Sequence, residues 1–148
     1  MRYLCIFAAA LSLVGCIKNA PGVTAPSLER LQGQWVAINY WAQWCAPCIK
    51  EIPELNRLDQ DYASVTVVGV NYDGVSGEEL ALQRQKVGAA FASLEEDPAA
   101  QLGVPRPVVL PTTLILDPTG RLAATLVGPQ TLASLVQVTQ QELNEGSH

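Results

Sequence analysis

The sequence predicts an α/β domain in which a central mixed β-sheet is flanked by helices. Segments rich in β-branched and aromatic residues, typical of buried strands, cover residues 35–41 and 65–70. Each is followed by a segment predicted to be helical, and this alternation is typical of parallel strands joined by crossovers. Two later apolar segments, at 112–116 and 121–127, flank Asp117-Pro118-Thr119-Gly120 and predict a hairpin that adds an antiparallel edge.

The first helix is predicted over about residues 47–62, directly after the first strand. Its apolar residues recur at three-residue steps, so they are expected on one helical face. These residues are Ile49, Ile52, Leu55 and Leu58.

Capping and turn residues predict the later elements. Ser76, with Glu79 three residues further on, has the pattern of a capping box and predicts a helix at 76–87. The remaining predicted elements are a short strand at 91–94, a short helix opened by Asp97 and Pro98, and a closing helix at 130–143.

Composition excludes several classes of protein. The chain has 148 residues, 49% of them hydrophobic, which is enough for one domain with its own core. A net charge of −5 leaves no basic surface for nucleic acid. The one histidine is His148, the last residue, so Ser-His or Cys-His catalysis and most zinc sites lack a partner. No metal or cofactor is expected.

The N-terminus has the pattern of an export signal. Residues 1–15 combine a basic start with a short apolar segment, too short to span a membrane. Leu13-Val14-Gly15-Cys16 resembles the lipobox of bacterial lipoproteins, which implies a lipid anchor on Cys16 as the mature N-terminus. The alternative is that Cys16 follows an ordinary signal peptide. Residues 16–27 then form a Pro- and Gly-containing linker, and 28–148 the folded domain.

The chemistry is predicted at Cys45 and Cys48, where a strand ends and a helix begins. A helix N-terminus favours thiolate over thiol, with pKa values of about 3.5–7.5 in such settings against about 8.5 for a free cysteine. Cys45 is expected to be the exposed nucleophile, and Cys48, one turn further, the buried resolving thiol. A zinc knuckle lacks two ligands, a c-type haem site lacks the following histidine, and a structural disulfide would close almost no loop.

Two stretches, WVAINYWAQWCAPCIKEIP and LPTTLILDPTGRL, resemble the thioredoxin superfamily, and within it the TlpA-like envelope thiol–disulfide reductases. The resemblance covers residues 27–127 and implies the thioredoxin fold. It implies a cis peptide bond before Pro111, with Leu110 offering backbone groups to an extended substrate. An ordinary turn proline is the alternative, and Pro105 and Pro107 are weaker candidates.

The resemblance also implies roles for side chains around the dithiol. Trp44, Ala46 and Pro47 are expected to line the substrate surface. Glu51 is expected to tune the thiol pKa values and carry protons, because the acid that thioredoxin places in the preceding strand is replaced by Asn39. The alternative for Glu51 is a solvated side chain that favours the first turns of a helix.

The function implied is reduction of disulfides in envelope proteins, apocytochrome c among them, with electrons from a DsbD-like membrane thiol donor. A monomer facing the periplasm is expected, held to either membrane by its lipid. Three alternatives are weaker. An oxidase or isomerase would need the DsbA-type histidine or a dimerisation domain, a peroxiredoxin-like peroxidase would need Thr where Ala42 stands, and a copper-binding module would need wider cysteine spacing.

Overall fold

The computed structural model describes residues 26–141. In chain order its elements are a 3-10 turn at Leu28–Leu31, β1 (Trp35–Trp41), α1 (Ala46–Asp61), β2 (Val65–Asn71), α2 (Gly77–Val87), β3 (Ala92–Ser93), β4 (Thr112–Leu116), β5 (Leu122–Val127) and α3 (Leu132–Val138). The predicted signal peptide at 1–15, and Cys16 with most of its linker, lie outside the described residues. No helix within 26–141 is long and apolar enough to cross a membrane.

The strands of the described region form one sheet in the order β3-β2-β1-β4-β5. β1 pairs in parallel with β2 and antiparallel with β4, while β3 extends the parallel side and β5 the antiparallel side. The predicted mixed sheet is therefore confirmed. β1 lies at its centre, which explains why its residues after Trp35 are all buried.

Alternation along β1 sends successive side chains to opposite faces of the sheet. Ala37, Asn39 and Trp41 lie on the face that α1 and α3 cover. The core of this face includes Ile52, Leu55, Leu58, Val67, Ile115 and Leu135. Tyr40 lies on the opposite face, together with Val36, Ile38, Val68, Val70, Leu94 and Leu114. A polar residue at position 39 is thus placed under α1, and one at position 40 on the other side.

The inward face of α1 differs from the predicted one in its first turn. The residues buried as predicted are Ile52, Leu55 and Leu58. Ile49 is exposed, so its predicted place on this face is wrong. Cys48 and Glu51 are buried there instead, because the first turn of α1 directs a thiol and a carboxyl inward.

The predicted capping box of α2 is wrong. Ser76 is the N-cap residue, but its side chain makes no capping hydrogen bond. The carboxylate of Glu79 instead accepts from Gln83 Nε2 at 3.2 Å, one turn further along α2. A capping box does form at α3, between Thr131 and Ser134.

Two further helix predictions are wrong in extent. Asp97 and Pro98 open turns, not a helix, which end at Gly103 with a positive φ of 66°. The closing helix α3 covers only Leu132–Val138, because Gln140 adopts a positive φ of 54° that stops it.

Candidate active site

The Cys45–Cys48 pair lies at the junction of β1 and α1, as the sequence predicts. The two sulfurs are joined in a disulfide. Cys45 is the N-cap residue of α1, and its Sγ accepts a hydrogen bond from the Cys48 backbone N–H at 3.2 Å. The helix therefore already directs one of its free amide groups to the sulfur expected to attack. A thiolate at this position would receive the same hydrogen bond.

Burial distinguishes the two cysteines less than predicted. Cys48 is fully buried, and Cys45 is 5% exposed in this oxidised state. Cys45 is thus the more accessible residue of the pair, although it is not exposed. Ala46 and Pro47 between them are exposed, which leaves the outer surface of the dithiol loop open to a partner.

The peptide bond between Leu110 and Pro111 is cis. In the register of β1 and β4, Thr112 pairs with Tyr40, so Pro111 lies one step further, at the end of β1 from which the chain leads to Cys45. Pro111 is buried, and its carbonyl accepts from Gly128 N at 2.9 Å. The cis bond and the dithiol therefore lie at the same end of the neighbouring strands β1 and β4.

Glu51 lies in a buried network that also contains Asn39, Thr113 and the backbone of Gln130. Glu51 is 1% exposed, so the solvated alternative is wrong. Asn39 Nδ2 donates to Glu51 Oε2 at 3.1 Å and to Thr113 Oγ1 at 2.9 Å. The Gln130 backbone N–H donates to Glu51 Oε1 at 3.0 Å, across 79 positions of the chain.

Burial raises the pKa of Glu51 to about 7, because a carboxylate loses its hydration inside the protein. The hydrogen bonds from Gln130 and Asn39 act in the opposite direction and keep the pKa from rising further. Glu51 is consequently a group that can gain or lose a proton near neutral pH, on the same face of α1 as Cys48.

Trp44, the residue before the dithiol, lies on the surface as predicted, with 63% of its area exposed. Its indole N–H donates to the carboxylate of Asp73, at 2.9 Å from Oδ2. Trp41 is fully buried. The exposed Trp44 ring therefore has a fixed position beside Cys45, held from the loop that follows β2.

Sequence reasoning missed the partners Asn39, Thr113 and Asp73. Asn39 carried a detectable signal, since it is the one amide side chain in an otherwise apolar and aromatic strand and a buried amide needs partners. Among residues 26–141, no cluster of three or more His, Cys, Asp or Glu side chains could hold a metal ion.

A dithiol at a helix N-terminus, a cis-proline at the same end of the sheet and a mixed sheet between helices define a thioredoxin-fold protein. The model of the AhpC/TSA family matches residues 17–125, and the chain belongs to this family.

Three similar proteins place the chain more closely. The thiol:disulfide interchange protein HelX of Rhodobacter capsulatus is 32% identical over 113 residues, covering 74% of this chain and 62% of its own. The thiol–disulfide oxidoreductase ResA of Bacillus anthracis is 27% identical over 129 residues, covering 80% and 73%. The crystal structure of a DsbF homologue from Corynebacterium diphtheriae has a TM-score of 0.68 at 32% identity, covering 78% and 76%. The chain spans less than two thirds of HelX.

Proposed function

We propose that this protein is a thiol–disulfide oxidoreductase that reduces disulfides in proteins of the bacterial cell envelope. The observation that carries the proposal is the Cys45–Cys48 disulfide at the N-terminus of α1, with an amide of that helix directed to Cys45 Sγ. The names of HelX and ResA support the reaction class. The direction of electron flow rests on the resemblance to the TlpA-like reductases.

The reaction proceeds by two exchanges. In the reduced protein the Cys45 thiolate attacks one sulfur of a client disulfide, which forms a mixed disulfide and releases the first client thiolate. The Cys48 thiolate then attacks Cys45 Sγ, which releases the second client thiolate and closes the Cys45–Cys48 disulfide. Two electrons pass to the client, and the closed disulfide is the oxidised product state seen here.

Glu51 serves as the proton acceptor for Cys48 in this scheme. Cys48 must lose its proton before it attacks the mixed disulfide, and a buried thiol has no bulk water to receive that proton. A carboxyl group whose pKa is about 7 is half ionised near neutral pH and accepts a proton at little cost.

The client lies along the end of the sheet that carries the cis bond. Leu110 presents its backbone to an extended client segment, in the manner of an added strand. Trp44, Ala46 and Pro47 form the rest of the contact surface, since all three are exposed beside the sulfurs.

The location and the partners of the protein are proposed from the resemblance to the TlpA-like reductases. A lipid on Cys16 would hold the domain at the periplasmic side of a membrane as a monomer. A DsbD-like membrane protein would return electrons to the Cys45–Cys48 disulfide, and a disulfide of apocytochrome c, reduced to its two thiols, would be one client.

The first experiment is a redox titration of the full chain against glutathione or dithiothreitol. A reduction potential near about −270 mV, the thioredoxin value, supports a reductase. A potential near about −120 mV, the DsbA value, would make the protein a donor of disulfides instead.

A trapping experiment tests the two cysteine roles. Cys48→Ser is expected to accumulate a mixed disulfide with a disulfide-containing client protein, because the resolving thiol is absent. Cys45→Ser, the matched control, should trap nothing, since Cys48 is fully buried. Equal trapping by both variants would contradict the assignment of Cys45 as the nucleophile and Cys48 as the resolving thiol.

A separate assay with hydrogen peroxide tests the peroxidase alternative. Rapid consumption of hydrogen peroxide would point to a peroxidase.

A further inference from the structure

The loop from Val104 to Leu110, which leads to the cis bond, exposes two large apolar side chains. Val108 is 87% exposed and Val109 51% exposed. They directly precede Leu110, whose own side chain packs against the cores on both faces of the sheet. Apolar surface of this extent beside the cis bond needs an explanation, because burial of each valine would stabilise the free protein.

Arg106 fixes this loop through three contacts. Its Nε lies 2.7 Å from Asp97 Oδ2 in an ion pair, and its Nη2 donates to the Tyr72 carbonyl at 2.6 Å. The guanidinium also lies 4.0 Å from the centre of the Tyr72 ring, in a cation–π contact. Pro105 and Pro107 restrict the backbone on both sides of Arg106.

Both anchors of Arg106 are hydrogen-bonded to the central strand β1. Asp97 Oδ1 accepts from the hydroxyl of Tyr40 at 2.6 Å and from Ala99 N at 3.0 Å. Tyr40 is fully buried in the central strand β1. Tyr72 directly follows β2 and donates its backbone N–H to the Trp41 carbonyl at 2.8 Å. The loop is therefore tied to the two central strands.

The same anchor is connected to the residue before the dithiol. Tyr72 holds Arg106, and the next residue, Asp73, accepts the indole N–H of Trp44. We call the set Trp44, Asp73, Tyr72, Arg106 and Asp97 the surface network. It links the residue before Cys45 to the loop before Pro111, so both walls of the contact surface share one support.

We propose that Arg106 is a positioning residue for client recognition, which holds Val108 and Val109 in place to receive an apolar side chain of an extended client segment. The inference rests on the proposed function. The three contacts of Arg106 do not include the dithiol or Glu51, so Arg106 affects which clients react and not the thiol chemistry. A loop that is already ordered does not lose conformational entropy when the client binds, and this favours association.

The test compares Arg106→Gln with wild type in the full chain. Two disulfide-bonded peptides serve as substrates, identical except for leucines or serines beside the reacting cysteines, together with 5,5′-dithiobis(2-nitrobenzoate) as a small disulfide. Arg121→Gln is the matched control, because Arg121 is an exposed arginine paired with Asp117 on the distant β4–β5 turn. All four proteins, including Arg106→Lys, are also titrated for reduction potential.

Arg106→Gln is expected to lower kcat/KM for the leucine peptide about tenfold, mainly through KM, and to reduce the preference over the serine peptide. Its rate with the small disulfide and its reduction potential should stay at the wild-type values. Arg106→Lys should recover part of the loss, because lysine keeps the charge opposite Asp97 but loses the planar stacking on Tyr72. Arg121→Gln should match wild type.

A second variant keeps the inference falsifiable if Arg106→Gln folds poorly. Val108→Ser changes a side chain that is almost fully exposed, and it should also lose the preference for the leucine peptide. The inference would be wrong if Val108→Ser and Arg106→Gln both kept the wild-type preference for the leucine peptide. It would also be wrong if the variants lost activity equally on the peptides and on the small disulfide. Either result would leave the proposed function intact. Wild type that reduces neither peptide would overturn the proposed function as well.

Discussion

The molecule contains two polar networks, one buried under α1 and one on the surface, and they differ in their access to water. The buried network joins Asn39, Glu51 and Thr113, each 1% exposed or less. The surface network joins Trp44 to Asp97 through exposed or half-buried side chains. Each contains a carboxylate that accepts hydrogen bonds from two donors or more, but the carboxylate of the surface network also pairs with the guanidinium of Arg106 and is open to water, whereas Glu51 is buried with neutral donors.

The difference separates what the two networks can control. Loss of hydration makes the charge of Glu51 costly, so the buried network determines the proton affinity of Glu51. Its buried hydrogen bonds also contribute much to stability. Exposed ion pairs contribute only about 0–1 kcal/mol, so the surface network adds little to stability and instead fixes the shape of the contact surface. The following predictions can break this division.

The largest expected effect is a pH dependence of stability caused by Glu51. Its pKa is about 7 in the folded protein against 4.5 as the ordinary value, so folding favours the protonated form. This contribution is fully present below about pH 4.5 and is lost as the pH rises through 7. Since one pKa unit is worth about 1.4 kcal/mol, the free energy of unfolding should fall by roughly 3 kcal/mol between pH 5 and pH 9.

The measurement is urea denaturation of the oxidised protein at a series of pH values, because the disulfide keeps Cys45 and Cys48 from titrating. Glu51→Gln is the control, because the amide has the same shape and cannot ionise. Its stability should be nearly independent of pH over this range. An equally steep pH dependence in Glu51→Gln would show that another group is responsible.

The next effect is expected from Asn39→Ala, which removes the only side-chain donor to Glu51 among the described contacts. The loss should cost about 2 kcal/mol at pH 9, where Glu51 is ionised, and less at pH 5. The midpoint of the pH dependence should move above 7, because the bond from Asn39 favours the charged form.

Thr113→Val is the matched control for that variant. It removes the hydroxyl that accepts the second bond of Asn39 Nδ2 but leaves the bond to Glu51 in place. It should cost about 1 kcal/mol at every pH and leave the midpoint unchanged. A midpoint shift as large as that of Asn39→Ala would mean that the two bonds act together on Glu51.

Local sequence signals predicted the fold and the dithiol, but not the partners of either network. The alternation of strand and helix patterns gave the mixed sheet, because each pattern depends on neighbouring residues. The pairing of Asn39 with Thr113, 74 positions apart in the chain, depends on the register of β1 with β4. Both strands are buried on both faces, so neither shows the alternation of apolar and polar residues that would specify the register.

The first turn of α1 shows a second reason for failure. Spacing of apolar residues assigned Ile49 to the buried face, since a hydrophobic residue is the usual choice there. The chain instead buries Glu51, at a cost that shows in its raised pKa, and leaves Ile49 in solvent. Local rules fail where a site needs a group that the core alone would reject.

The smallest expected effect is on the stability of Asp73→Ala. The variant removes the acceptor of the Trp44 indole N–H in an exposed setting, where water replaces the lost partner. The free energy of unfolding should change by about 0.5 kcal/mol or less, equally at pH 5 and pH 9. Asp73→Asn, which keeps an oxygen for the indole, should match wild type. A loss above about 2 kcal/mol in Asp73→Ala would show that the surface network supports the fold as strongly as the buried one. The division of roles between the two networks would then be wrong, and Trp44 would be a structural residue more than a contact for clients.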